Sequence, residues 1–196
     1  FGGEGSGGEY HSIYDSYDHF VRFKDPGFQY GVALAKTAGR SMLRLANADV
    51  LPFDYHTLTS TISSYLADVK GLIDQMRTDV EMENKLVEEK VFQLAADPKS
   101  TRALPSKSSS IPYLEFGNLD NALFTLMTST QQLKSLLVKA DQLNDDQLGR
   151  LNKILFTAEQ SLLSEKGLPR RPWYRHQVYA PGFYTGYGVK TLPGVR

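Results

Sequence analysis

Between positions 58 and 76 the apolar residues Leu58, Ile62, Tyr65, Leu66, Val69, Leu72, Ile73 and Met76 recur at steps of three and four. That spacing puts them on one side of an α-helix, whereas a strand would scatter them over both faces. An apolar stripe of this length needs other helices to cover it, and this requirement constrains the fold more than any other feature. Asp54 precedes the stripe, where its carboxylate is placed to accept from the free amides of a first helical turn. The pattern continues with a bend at Arg77-Thr78-Asp79, through Leu86, Val87, Val91 and Leu94 to about Ala96, and Asp97-Pro98 closes it.

Two further stripes follow. After a polar, broken stretch with Pro105, Ser108, Ser109, Ser110 and Pro112, read as an exposed loop, residues 119–139 carry Leu119, Leu123, Leu126, Leu133 and Leu137 inward. Asn144 and Gln147 have the spacing of a capping box, and Leu148, Leu151, Leu155, Ala158 and Leu162 form the next stripe until Gly167 and Pro169 stop it. A shorter helix over 28–44, with Val32, Ala35, Ala38 and Met42, is rich in alanine, which predicts close packing; Phe28 and Tyr30 read as core aromatics. The fold class is mainly α, an up-down bundle. An even number of helices buries such stripes better than three, so this reading expects one more beyond Arg196. Residues 168–196, with Pro, Gly, Tyr and Trp and no sustained period, read as ordered loop.

Composition excludes several functions. The 196 residues hold 22 basic and 22 acidic side chains, a balance that argues against nucleic acid as a partner. No apolar run approaches the roughly 20 residues that a membrane span requires. Cysteine is absent, which removes disulfides and thiolate metal sites without fixing the compartment.

Chemistry concentrates at the start, in Gly7-Gly8-Glu9-Tyr10-His11-Ser12-Ile13-Tyr14-Asp15, where glycines lead into a histidine flanked by tyrosines and carboxylates. Residues 1–27 read as loop and strand edge, ended by Asp25-Pro26-Gly27. One histidine does not make a catalytic metal site, which needs about three protein ligands. His19, His56 and His176 are widely separated, and His56 reads as a helix-surface residue. Arg170, Arg171 and Arg175 read either as an anion site or, more commonly for a Pro-flanked basic run, as a solvated or carbonyl-bonding loop.

These residues also carry a resemblance. The start just quoted, Asp25-Pro26-Gly27-Phe28, Leu45-Ala46-Asn47, Val50-Leu51-Pro52-Phe53, Gly167-Leu168-Pro169-Arg170-Arg171-Pro172-Trp173-Tyr174-Arg175-His176, Tyr179-Ala180-Pro181 and Leu192-Pro193-Gly194-Val195 together resemble the C-terminal part of the glutamate carboxypeptidase, or N-acetylated alpha-linked acidic dipeptidase, family. The transferrin receptor is similar to that family in fold. The resemblance implies a di-zinc peptidase in which residues 1–50 are the end of the catalytic domain, 51–167 a helical dimerisation domain, and 168–196 a substrate-pocket loop. It implies that His11 is a zinc ligand, with Asp15 or Asp18 as the carboxylate for its second ring nitrogen. By the same resemblance Tyr10 donates to the oxygen that gains charge in the tetrahedral intermediate, and Tyr187 contacts the substrate's terminal side chain. Gly186 stands where the family has a substrate-binding lysine, so either Lys190 substitutes or the acidic preference is absent.

The expected whole is a zinc-dependent carboxypeptidase or dipeptidase with two zinc ions, acting on peptides and paired as a homodimer through the bundle; this chain by itself is expected to be inactive and to hold zinc weakly. The remaining zinc ligands and the base are expected in the remainder of the peptidase chain. The resemblance implies a secreted, periplasmic or extracellular setting. The alternative is a receptor-like interaction protein that keeps the bundle and has lost catalysis.

Overall fold

The computed structural model describes residues 8–184 and 186–195. In chain order its elements are α1 (Tyr17–His19), a π-helical turn (Phe20–Lys24), α2 (Gln29–Ala46), α3 (Tyr55–Glu88), α4 (Val91–Leu94), α5 (Gly117–Leu137), α6 (Asp145–Thr157) and the strands β1 (Tyr179–Pro181) and β2 (Val189–Thr191). Asp54 caps α3 as expected, accepting from the Thr57 amide at 3.0 Å and the Thr57 hydroxyl at 2.7 Å. α3 buries Thr59, Ile62, Leu66, Val69 and Ile73, alternating steps of three and four that keep one seam toward its neighbour. That neighbour is α5, running antiparallel: Lys70 pairs with Asp120 at 2.7 Å while Thr59 meets Thr130 further along. Both threonines are buried, and each hydroxyl donates to a carbonyl of its own helix, so no donor is stranded in the core.

Several details differ from the sequence expectations. α3 is one uninterrupted helix through 77–79 and ends before Lys90, whose φ of 58° is left-handed. Glu88, Glu89 and Lys90 offer the core no apolar anchor, so nothing holds the helix on its axis past Val87. On α5 the inward positions are Leu123, Met127 and Thr130, while Leu119 and Leu126 remain 36% and 39% exposed. The sequence stripe is too wide; a seam against one helix uses only its centre. α2 forms where expected but has no buried residue, and Phe28 and Tyr30 are exposed rather than core. Among the described residues the segment 8–27 holds turns and helical turns and no strand. The capping box at Asn144 and Gln147 is present in full.

The region 168–196 is more ordered than a loop. β1 and β2 form an antiparallel ribbon, with Ala180 opposite Lys190, and Val178 and Leu192 at its base join the core of Ile62, Leu66, Val69, Ile73 and Leu123. The Leu192 amide donates to the Val178 carbonyl at 2.7 Å. α6 lies beside one end of α3, where Tyr55 donates its hydroxyl to the Leu155 carbonyl and Leu155 is 1% exposed. Asn152 of α6 reaches back to the connection between α2 and α3: its Oδ1 accepts from the Leu51 amide at 2.9 Å and its Nδ2 donates to the Asp49 carbonyl at 2.8 Å. α3, α5 and α6 wall an open apolar groove of about 280 Å³ lined by Leu58, Ile62, Leu126, Leu133, Ile154 and Leu162.

Candidate functional site

The turn bearing Tyr10 and His11 is built by its own short side chains. The Ser12 hydroxyl donates to the Glu9 carbonyl at 2.7 Å and accepts from the Tyr14 amide at 3.1 Å, while the Asp15 amide returns to the Ser12 carbonyl at 3.0 Å. This folding places His11 at a φ of 60°, a left-handed conformation that histidine tolerates better than most residues. Its ring stacks on Tyr10 at 3.8 Å between centroids. Glu9 pairs with Lys24, and the ammonium group holds the Glu9 carboxyl below the usual carboxylate range. Behind the turn Asp25, 3% exposed, accepts from the Tyr30 and Gly31 amides at 3.0 and 2.8 Å and so starts α2.

Neither carboxylate expected to orient the His11 ring does so. Asp15 accepts from the backbone amide of His11 at 3.2 Å, and Asp18 pairs with Arg22 at 3.0 Å. Short-range backbone donors outcompete the ring because the turn points them at Asp15. Among the described residues neither the His11 ring nor the Tyr10 hydroxyl makes a hydrogen bond, and no group of three His, Asp or Glu side chains gathers in a metal-binding arrangement. Of the glycine-rich approach to this turn, Gly8 is described, and residues 1–7 lie outside the described residues.

Gly186 and Tyr187 lie in the connection between β1 and β2, and Lys190 lies on β2. Tyr187 is 96% exposed, and a side chain added at Gly186 would meet nothing within 4 Å. Lys190, on β2, lines a cleft of about 390 Å³ with Arg170, Arg171, Phe183, Tyr184 and Leu72. Among the described residues no hydrogen bond, ion pair or ring contact joins the Tyr10-His11 turn to this ribbon. Among the described residues His176 joins no metal-binding group: its Nδ1 accepts from the Val178 and Tyr179 amides at 3.2 and 3.3 Å, and its ring stacks on Tyr179 at 4.0 Å. Tyr179 in turn donates to Glu159, whose carboxylate raises the phenol above its ordinary pKa. Arg171, read in the sequence as one of a basic run, is 8% exposed and donates from Nη1 to the Pro181 carbonyl at 2.6 Å. Its burial has no periodic signal to announce it.

Residues 114–196 match the transferrin receptor-like dimerisation domain. Over 95% of its length the chain is 30% identical to a probable glutamate carboxypeptidase of Arthroderma benhamiae and 31% identical to one of Arabidopsis thaliana. Residues 114–196 thus belong to the transferrin receptor-like dimerisation domain family, and the chain as a whole resembles glutamate carboxypeptidase-like proteins. It is also 26% identical, again over 95% of its length, to aminopeptidase NAALADL1 of Mus musculus. The chain spans about a fifth of the length of these relatives, 21%, 22% and 20% respectively. The likeness to these relatives extends well before residue 114, beyond the dimerisation domain.

Proposed function

We propose that this chain is part of a zinc-dependent carboxypeptidase or dipeptidase, to which it contributes one zinc ligand, an oxyanion donor and the dimerisation element. The observation that carries the reading is the His11 ring, free of hydrogen bonds among the described residues, on a turn whose backbone is fixed from both sides. Such a ring has a nitrogen lone pair to give and fits a zinc donor set as one member; the other donors belong to the remainder of the peptidase chain. When bound, zinc supplies a Lewis acid and lowers the pKa of its water. Tyr10, stacked on His11 with its hydroxyl unengaged, donates to the oxygen that gains charge as a peptide carbonyl is attacked, the kind of contact worth about 3 kcal/mol in a transition state. Tyr187 and Lys190 present their side chains to substrate from the ribbon.

With Gly186 in place of a lysine, the enzyme discriminates weakly for a terminal glutamate. Two measurements on the intact protein test the reading together: metal content after dialysis, and hydrolysis of otherwise identical dipeptides ending in Glu and in Leu. About two zinc ions per subunit and hydrolysis of both peptides are expected. A protein that dimerises but holds no metal and cleaves neither peptide is the receptor-like alternative, which the name of the dimerisation domain family favours. A preference for Glu above about a hundredfold transfers the lysine's role to another cation, Lys190 first.

A further inference from the structure

We propose that the cleft between the turn at 168–172 and the ribbon is a binding site for a small oxyanion, a carboxylate or a phosphate. Leu72 of α3 forms the apolar floor, Pro169 and Pro193 the sides, and Arg170, Arg171 and Lys190 supply three positive charges. Among the described residues no acidic side chain lines it. Both guanidinium groups rest against one ring, Arg170 at 4.5 Å and Arg171 at 5.3 Å from the centroid of Phe183. Among the described residues none of the three cations makes an ion pair. Like charges gathered without a counterion repel one another, and a planar guanidinium or an ammonium left unpaired at the mouth of an apolar cleft is well placed to take an oxyanion.

Two further observations point the same way. Arg171 is only 8% exposed, and its Nη1 donates to the Pro181 carbonyl at 2.6 Å, which fixes the guanidinium in the wall of the cleft. Arg170 sits at a φ of 60°, a conformation seldom adopted by a long side chain, within a turn closed by the Arg171 amide on the Leu168 carbonyl at 3.0 Å. That conformation is what accompanies the guanidinium over Phe183. Strain at a residue that packing has already fixed is a common mark of a ligand contact. A bound oxyanion would bridge the 168–172 turn to β2 through Lys190, and so tie the ribbon to the helical body.

The test titrates inorganic phosphate and, separately, succinate into the intact protein by calorimetry at low and high salt, with thermal unfolding in parallel. Saturable one-to-one binding of either probe, weakened by salt and raising the unfolding midpoint, is the expected result; the tighter probe identifies the anion as tetrahedral phosphate or planar carboxylate. Arg170→Gln combined with Lys190→Gln, both at exposed positions, should weaken binding at least tenfold, and Arg170→Lys with Lys190→Arg should restore most of it. Absence of saturable binding by both probes, or binding unaltered in the double glutamine variant, overturns the proposal.

Discussion

At the scale of single residues, two glycines a short distance apart in sequence make opposite demands. A Cβ at Gly167 would lie 2.2 Å from the Pro172 carbonyl oxygen, and its φ is +65°, so Gly167→Ala must open the turn that carries Arg170 and Arg171. We expect a loss of more than about 2 kcal/mol in stability, read as a lowered denaturant midpoint. Gly186→Ala meets nothing within 4 Å and should change stability by less than about 0.5 kcal/mol. At the amino-terminal turn, His11→Ala in the intact protein should abolish peptide hydrolysis and lower the zinc content while circular dichroism is unchanged, because the exposed ring contributes nothing to the helical core. Tyr10→Phe should keep the metal and the stacking, and reduce kcat about a hundredfold with little change in KM. Retained activity in His11→Ala would remove it from the ligand set.

Among the elements, α3 shows what patterning can and cannot reveal. Its start is legible because Asp54 is a chemically specific cap, and its buried face because Ile62, Leu66, Val69 and Ile73 hold the helical period. Its end is not: residues 77–96 keep a weak apolar repeat, and the break at Lys90 comes from a local backbone conformation that no periodicity encodes. The ribbon escapes a reading of the sequence because strands of three residues are too short to show alternation, and the anchoring of Val178 and Leu192 is a tertiary event. Neither the stacking of Tyr10 on His11 nor the fate of Asp15 is legible, since turn geometry decides which ring meets which and which donor a carboxylate meets. Hydrogen bonds from Thr57 hold the Asp54 carboxyl below its ordinary value. Its contribution is therefore complete above the ordinary carboxylate range and is lost as pH falls through the lowered value in the folded chain. Asp54→Ala should lower the unfolding midpoint by a few degrees at neutral pH, with the gap closing on acidification, whereas Asp54→Asn should retain the cap and lose the pH dependence. Leu155→Ala, at a site 1% exposed, should cost about 2 to 5 kcal/mol by equilibrium denaturation.

On the scale of the whole molecule, the groove among α3, α5 and α6 and the bare face of α2 leave much apolar surface open, including Leu34, Met42 and Leu45. A surface of this kind in a dimerisation domain predicts a symmetric pair, so light scattering of the intact protein at micromolar concentration should give the mass of a dimer, and Leu126→Glu with Ile154→Glu should shift it toward the monomer. An unaltered mass in that variant would place the interface on another face. Asn152 adds a property of a different kind. Its two bonds to the chain at Asp49 and Leu51 span separations of 103 and 101 residues, so they close a very large loop, and we expect them to form late in folding. A contact absent from the folding barrier acts by slowing escape from the finished structure. Stopped-flow kinetics of Asn152→Ala should show an unchanged refolding rate and faster unfolding, which would make this one amide a timer on how long the amino-terminal segment stays fastened to the bundle.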